Sequence, residues 1–233
     1  MLAQAVSFAR PQTICAFPKS RDDLPGVIRD LGLRKDNPLI MLIGGFIHPE
    51  HADVTHEVLQ SIANTAEQVG ALILSGGTHT GVMGTTGQIR ALENYSFPLV
   101  GVVPQDMPIY PGGPTMRQYM RMEDKRLELA RYYSHMVLVP GGRYGNEASW
   151  IVDLAAGLSP REASISILVN GVNVTRKDIQ LNLQARRKIF ALTGTSRIAD
   201  EYAARPLHDP LIRLIPAADT DILARTIRNE LGW

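Results

Sequence analysis

The sequence predicts an α/β domain in which a mostly parallel β-sheet carries helices on both faces, a three-layer α/β/α arrangement. Two observations predict this fold class. Short runs rich in Val, Ile and Leu show no polar alternation, as expected for strands that are covered on both faces. These runs alternate with longer segments of helical periodicity, and a repeated strand-then-helix order is typical of a parallel sheet.

The predicted strands and helices alternate along the chain. Either Asp219 or Thr220 can cap the N-terminus of the last helix. The predicted strands are Thr13–Phe17, Leu39–Ile43, Ala71–Leu74, Leu99–Val103, Met136–Val139, Ile165–Val169, Ile189–Leu192 and Leu211–Ile215. The predicted helices are Ala52–Val69, Val82–Glu93, Met116–Tyr132, Glu147–Leu158, Lys177–Arg186, Ile198–Ala204 and Asp219–Leu231.

Length and composition favour one large α/β domain over two small ones. We place this domain over residues 37–233 and expect residues 1–36 to be an N-terminal extension packed on it. The chain has 233 residues, of which 45% are apolar, and a formal net charge of +1. So small a charge argues against a general nucleic-acid or membrane-surface protein. Cys15 is the single cysteine, and we find neither an apolar run of membrane length nor a signal pattern. We therefore expect a cytoplasmic protein without nucleic-acid or membrane partners.

One long segment, Pro104–Pro114, has no helical or strand pattern and is rich in proline. Irregular stretches of this length in a compact domain are often binding loops or lids. An ordinary surface loop explains the composition equally well, and the sequence leaves both interpretations open.

Four of the predicted strands end in glycine-rich loops. These loops are Gly44–Gly45, Ser75–Gly84, Pro140–Glu147 and Thr193–Arg197. In a parallel sheet the carboxyl ends of all strands lie at one edge, where ligands of open α/β sheets bind. A helix that begins directly after such a loop points its N–H groups and positive dipole at that edge. One glycine pair alone is explained by a tight turn, but four at the same edge predict an anion-binding site.

Polar side chains in these loops would supplement the backbone. Thr78, Thr80 and Ser196 offer hydroxyl donors, and the guanidinium groups of Arg143 and Arg197 can pair with phosphate oxygens. The loops contain neither the Gly-Lys-Ser/Thr of a P-loop nor the G-x-G-x-x-G dinucleotide fingerprint. Phosphoryl transfer and hydride transfer are therefore disfavoured.

Three segments together resemble a known family. Ser75-Gly-Gly-Thr-His-Thr-Gly-Val-Met83, Val139-Pro-Gly-Gly-Arg-Tyr-Gly-Asn-Glu147 and Gly194-Thr-Ser-Arg-Ile-Ala-Asp200 are similar to blocks of the SLOG superfamily. More narrowly they resemble its LSDAT branch, found in TRPM-type channels and in prokaryotic stand-alone relatives. The resemblance spans about residues 37–204. It implies a Rossmann-like fold that binds ADP-ribose, cyclic ADP-ribose or a similar nucleotide-derived ligand, in a prokaryotic signalling or defence context, and a homo-oligomer.

The loops and the resemblance together define the candidate ligand contacts, and Thr195 is a departure, since the channel family has glycine there. The β-branched side chain of Thr195 restricts positive φ, so it puts the shape of the third loop in question. The candidate contacts are Gly44, Gly45, Ser75, Gly76, Gly77, Thr78, His79, Thr80, Gly81, Gly141, Gly142, Arg143, Tyr144, Gly145, Glu147, Ser196 and Arg197.

A more distant resemblance is to the LOG-type phosphoribohydrolases, also called lysine decarboxylase-like proteins, which cleave nucleoside 5′-monophosphates. Gly76–Gly84 is similar to their glycine block, and Lys125–Arg126 to their Arg-Lys pair in reversed order. Their catalytic carboxylate block departs here, because Arg143 is inserted and only Glu147 remains, one position early. One position rotates a helix face by about 100°, which puts the cleavage activity in question.

Each charged candidate also has a plain structural interpretation. Glu147 can simply complement the helix dipole, and Arg197 can be a surface side chain. Lys125 and Arg126 fit a solvated helix face, and His79 can orient its loop instead of binding a ligand. We also expect Pro18–Asp23 and Arg186–Lys188 to be solvated surface.

His48, His51 and Asp53 are the only residues whose clustering could suggest a metal. They have no second ligand set, so we expect no metal site.

Three functions remain open, and the sequence favours the first. It is a ligand sensor without chemistry, which requires no cofactor beyond its nucleotide-type ligand, because no well-placed nucleophile, base or metal set accompanies the loops. The second is an enzyme of the LOG kind that uses Glu147 with Lys125 or Arg126. The third is an interaction module in which the glycine loops are only tight turns.

Overall fold

The structure, a computed structural model, describes residues 3–7, 12–111, 113, 127–171, 174–204 and 209–233. These residues form one sheet of nine strands with seven α-helices. The strands are β1 Ala3–Ser7, β2 Gln12–Ala16, β3 Leu39–Gly44, β4 Leu72–Gly76, β5 Leu99–Pro104, β6 His135–Val139, β7 Ser164–Val169, β8 Lys188–Thr193 and β9 Ile212–Pro216. The helices are α1 Leu24–Asp30, α2 Ala52–Val69, α3 Gly81–Leu92, α4 Ala148–Leu158, α5 Thr175–Gln184, α6 Ile198–Ala204 and α7 Thr220–Glu230.

The strand order is β1-β2-β6-β5-β4-β3-β7-β8-β9, and every pair except antiparallel β1–β2 is parallel. The order reverses between β3 and β7, which pair over six residues from Leu39–Ser164 to Gly44–Val169. In open α/β sheets such a switch point opens a crevice at the carboxyl ends of the strands. The predicted α/β fold with a mostly parallel sheet is confirmed.

Alternation along the strands places a buried core on each side of the sheet. On β3, Ile40 and Leu42 pack with α2, α3 and α7, whereas Leu39, Met41 and Ile43 pack with α1, α4, α5 and α6. Strands buried on both faces read as continuous apolar runs, which is why β3 to β8 were predictable. The helices on both faces confirm the predicted three-layer arrangement.

Helix α2 and helix α6 have the predicted bounds, and the other predicted helices shift by one or two residues, except the one at Met116–Tyr132. Residues 116–126 of that segment lie outside the described residues. Over Leu127–Tyr132 the prediction is wrong, because the N–H groups of Leu129 and Ala130 donate to the carbonyls of Ile109 and Gly77. Tertiary backbone bonds here replace the helical ladder.

The N-terminal part contains two elements without a sequence prediction, β1 and α1. Helix α1 is only seven residues long, and it buries Leu24, Val27 and Ile28 against the sheet. Strand β2 pairs with β6, so this part of the chain extends the sheet. Within the described residues, no helix is long and apolar enough to span a membrane.

Candidate functional site

A cavity of about 330 Å³ lies at the carboxyl ends of β3 and β4, beside the switch point between β3 and β7. Helices α4 and α5 close it from one side, through residues such as Ile151 and Asn182. Its volume is within the range of small-molecule sites. The predicted site residues that line it are Gly44, Gly45, Gly76, Gly77, Thr78, Thr80, Tyr144, Gly145 and Glu147.

The remaining candidate residues do not line the cavity or lie outside the described part of the chain. Lys125 and Arg126 lie outside the described residues. The candidates that do not line the cavity are Ser75, His79, Gly81, Gly141, Gly142, Arg143, Ser196 and Arg197. Their contacts with a ligand therefore remain predictions, and several of these residues have a clear structural role instead.

The first loop, which joins β4 to α3, is fixed by hydrogen bonds on both sides. The buried hydroxyl of Ser75 lies 2.8 Å from the hydroxyl of Tyr133. The N–H of His79 donates to the carbonyl of Glu128 at 2.7 Å, and the carbonyl of Gly77 accepts from Ala130. The His79 ring lies 6.1 Å from that of Tyr132, and its buried Nδ1 has no hydrogen-bond partner among the residues that the structure describes. His79 therefore ties the loop to the residue 127–132 segment.

Helix α3 begins at Gly81, and it begins against the loop that follows β3. The carbonyl of Gly45 accepts a hydrogen bond from the N–H of Val82 at 3.0 Å. Gly81 has φ +52°, and a Cβ there would lie only 2.1 Å from the Gly45 oxygen. Glycine is thus required at position 81 by both conformation and space. The Thr78 and Thr80 hydroxyls, 3.3 Å apart, stand at the start of this helix.

A residue that the sequence reasoning missed holds the switch point together. Asn170 follows β7 directly, is 2% exposed, and its Oδ1 accepts hydrogen bonds from the N–H groups of Gly45 and Gly171. Its own N–H donates to the hydroxyl of Thr195 at 2.8 Å. The Asn-Gly pair at the end of a predicted strand was the available signal, because asparagine tolerates the positive φ of 54° found here.

The second loop joins β6 to α4 and places a carboxyl group at the cavity. Glu147 Oε2 accepts a hydrogen bond from the N–H of Gly145 at 2.6 Å, and Lys177 Nζ donates to the carbonyl of Gly145 at 2.9 Å. Burial raises the pKa of Glu147, while the Gly145 N–H and the Lys177 charge oppose the rise. Glu147 is the N-cap residue of α4 and lines the cavity as well.

Helix α5 supplies two polar residues that the sequence reasoning did not select. Asp178 and Asn182, one helical turn apart, both line the cavity. Burial, followed by the nearby Glu147 charge, raises the pKa of Asp178 to about 7. Asp178 lay inside a predicted polar helix, where a residue of the buried face cannot be told from one of the solvated face.

Behind Asn182 lies a buried arginine. The expectation that Arg186–Lys188 is solvated surface is wrong for Arg187, which is 3% exposed and donates to Ser164 Oγ and to Asn182 Oδ1. Burial lowers the pKa of Arg187 to about 10. These two neutral partners accept from Nε and Nη1 of the guanidinium group, and the second bond fixes the Asn182 amide.

The third loop folds onto itself. The Asp200 carboxylate accepts hydrogen bonds from the N–H groups of Gly194 and Ser196, at 2.5 and 2.8 Å. Ser196 and Arg197 have positive φ, whereas Thr195 instead uses its hydroxyl to bond the Leu192 carbonyl. Thr195, the departure from the channel family, therefore has a structural role, because it connects the end of β8 to Asn170. Among the described residues, no group of three or more His, Cys, Asp or Glu side chains is placed to hold a metal.

Comparison with known proteins adds a family and a fold. The family model described as SLOG in TRPM, prokaryote, matches residues 37–228, which confirms the resemblance inferred from the three loops. The molybdenum cofactor carrier protein of Chlamydomonas reinhardtii has a similar structure, with a TM-score of 0.55 at 16% identity over 84% of this chain and 99% of that chain. The molybdenum cofactor binding protein of Rippkaea orientalis gives 0.54 at 16% identity over 82% and 97%. No curated protein sequence matches this chain.

Proposed function

We infer the function from two premises: the chain belongs to the prokaryotic SLOG in TRPM family, and it has a cavity at the switch point of its sheet. We propose that this cavity binds a nucleotide-derived ligand, such as ADP-ribose or cyclic ADP-ribose, and that the protein acts as a sensor without turnover. The names of its structural neighbours, a carrier and a binding protein, favour binding without chemistry.

The observation that carries the proposal is the glycine-lined end of the cavity. Gly76 lets a ligand approach the backbone closely, since a Cβ there would meet only the Met83 side chain of the cavity lining. The hydroxyls of Thr78 and Thr80, 3.3 Å apart, lie at the same end and can donate to a ligand in place of each other. Helix α3 begins there, and its positive dipole end favours a phosphate. The apolar side chains of Met41, Ile43 and Ile151 line the rest of the cavity and suit a heterocyclic base.

Thermal unfolding with a ligand panel tests this proposal. ADP-ribose, cyclic ADP-ribose, NAD and AMP are each added at millimolar concentration. A ligand at 100 times its Kd stabilises the fold by about 2.7 kcal/mol, which raises Tm by roughly 5 to 10 °C in a domain of this size. An unchanged Tm with every member of the panel would contradict the proposal.

The second candidate, a nucleotide phosphoribohydrolase, is favoured by one observation. The Glu147 carboxyl group lines the cavity and has a raised pKa, as a catalytic carboxyl group often does. This activity predicts release of free adenine from AMP and its loss in Glu147→Gln. AMP that stays intact through a long incubation with the wild-type protein would exclude it.

We also propose that the protein is cytoplasmic and that it forms a homo-oligomer. The second proposal follows from the family resemblance. Light scattering after size-exclusion chromatography measures the oligomer directly, and a monomeric mass at micromolar concentration would exclude it.

A further inference from the structure

We propose that Glu147 and Asp178 form a donor-binding subsite at the α4–α5 end of the same cavity. This subsite takes a neutral group with two adjacent hydrogen-bond donors, either the cis-diol of a ribose or the N–H edge of a base. It directs the phosphate to the opposite, glycine-lined end. The inference rests on the proposed function and names the part of the ligand that this end recognises.

The two carboxyl groups come from different helices and face the same space. Glu147 stands at the start of α4 and Asp178 in the first turn of α5, and both line the cavity together with the apolar side chains of Ile43 and Ile151. Within the described residues they are the only charged side chains in the lining. A wall whose charged groups are two acids is unsuited to a phosphate, because like charges repel strongly where water is scarce.

Both acids are attached to rigid supports. Glu147 is held by the N–H of Gly145 at 2.6 Å. The turn that carries Asp178 is fixed because Asn182 Nδ2 donates to the Asp178 carbonyl at 2.8 Å. The Asn182 Oδ1 in turn accepts from Ser166 Oγ and from Arg187 Nη1, both at 2.9 Å. Such a supporting layer keeps a recognition group in place.

Within the described part of the chain, the charges of the pair are incompletely compensated. Among these residues Lys177 is the cation that acts on both acids, and its ammonium group is engaged with the Gly145 carbonyl. Arg187 lies behind the Asn182 amide and donates there and to Ser164. Hydroxyl or N–H donors from a ligand would form charge-assisted bonds to the carboxylates and relieve the cost of their burial.

Calorimetric titration at pH 8 tests the inference with four probes: AMP, 2′,3′-dideoxy-AMP, GMP and IMP. AMP against dideoxy-AMP reports the diol, and GMP against IMP reports the amino group of the base edge. We expect Asp178→Asn to weaken the donor-bearing probe of one of these pairs by about 10- to 100-fold. The probe that lacks the donor should change less than about twofold, the level of the exposed control Asp221→Asn. Glu147→Gln should show the same selectivity.

Two results would overturn the inference while leaving the proposed function intact. In one, Asp178→Asn and Glu147→Gln bind all four probes as the wild type does. In the other, each variant weakens all four probes equally, which is the signature of a general structural role. If the wild-type protein binds none of the four probes, the inference fails; the proposed function fails only if ADP-ribose, cyclic ADP-ribose and NAD also leave Tm unchanged.

Discussion

The two ends of the cavity are built in opposite ways. The glycine-lined end consists of backbone and two threonine hydroxyls, next to the positive end of the α3 dipole. The α4–α5 end carries the carboxyl groups of Glu147 and Asp178 on a buried polar network. If the ligand is a nucleotide, as we propose, the first end suits its phosphate and the second suits its neutral donors.

The two ends also depend on different kinds of contact. In the proposed binding mode, the glycine-lined end relies on close approach of the ligand to the backbone, which an added Cβ would obstruct. The α4–α5 end relies on side-chain hydrogen bonds around charges that are costly to bury. Substitutions should therefore damage the first end through sterics and change the second through electrostatics.

The largest loss of stability is expected beside the glycine-lined end, from Gly81→Ala at the first residue of α3. The new Cβ would lie 2.1 Å from the Gly45 carbonyl oxygen, at a positive φ. We expect the free energy of unfolding to fall by about 3 kcal/mol or more, measured in a denaturant titration. Gly142→Ala is the matched control, since a Cβ at Gly142 meets nothing within 4 Å. Equal stability of the two variants would show that Gly81 is not packed against the Gly45 carbonyl as described.

At the α4–α5 end, Asp178→Asn should stabilise the unliganded protein at high pH. The folded pKa of Asp178 is about 7, above the 3.8 of a free aspartate, so the native state loses stability as pH rises from about 4 to 7. Asparagine does not titrate, and the gain in the free energy of unfolding should reach about 4 kcal/mol at pH 8 and vanish below pH 4. Unfolding curves at both pH values measure it. A gain of the same size at both would show that burial of the charge is not the cause.

A substitution that fills the glycine-lined end without straining it should affect binding alone. A Cβ at Gly76 would meet only the Met83 side chain, at 3.7 Å or more, an ordinary contact. We expect Gly76→Ala to weaken nucleotide binding about tenfold, or about 1.4 kcal/mol, with an unchanged Tm. Calorimetric titration gives the affinity. Undiminished binding would place the phosphate elsewhere.

The smallest effect is expected from Asp200→Asn in the third loop, which lies outside the cavity lining. The substitution replaces one of the two oxygens that accept from Gly194 and Ser196. Stability should fall by about 1 kcal/mol, while nucleotide affinity stays within about twofold. A large loss of affinity, compared with the exposed control Asp221→Asn, would instead show that the third loop takes part in binding.

Most of the sheet could be predicted because its strands are buried on both faces. The exceptions have physical causes. Helix α1 is too short to show a clear helical periodicity. The conformation of residues 127–132 depends on hydrogen bonds to the backbone of Ile109 and Gly77, which lie far away in the sequence and leave no local pattern. Strand β1 lies at the sheet edge and is only partly buried, which weakens its apolar signal.

The site was only partly predictable. The sequence of a glycine-rich loop does not reveal which group accepts hydrogen bonds from its backbone N–H groups. In the third loop the Asp200 carboxylate accepts two of them. Asn170 and Asp178 interact with residues that are distant in sequence, such as Gly45 and Glu147. Asparagine after a strand and aspartate in a helix are common, so neither position stood out in the sequence. Glu147 was found because its block resembles that of a family, and the cavity explains its position.

Backbone amide NMR during a titration with ADP-ribose tests the central claim most directly, since it reports each loop separately. The account predicts that the resonances of Gly44, Gly76, Gly77 and Gly145 shift on binding, while those of Gly194 and Ser196 stay in place. Shifts confined to Gly194 and Ser196, or to a surface remote from the ends of β3 and β4, would contradict it.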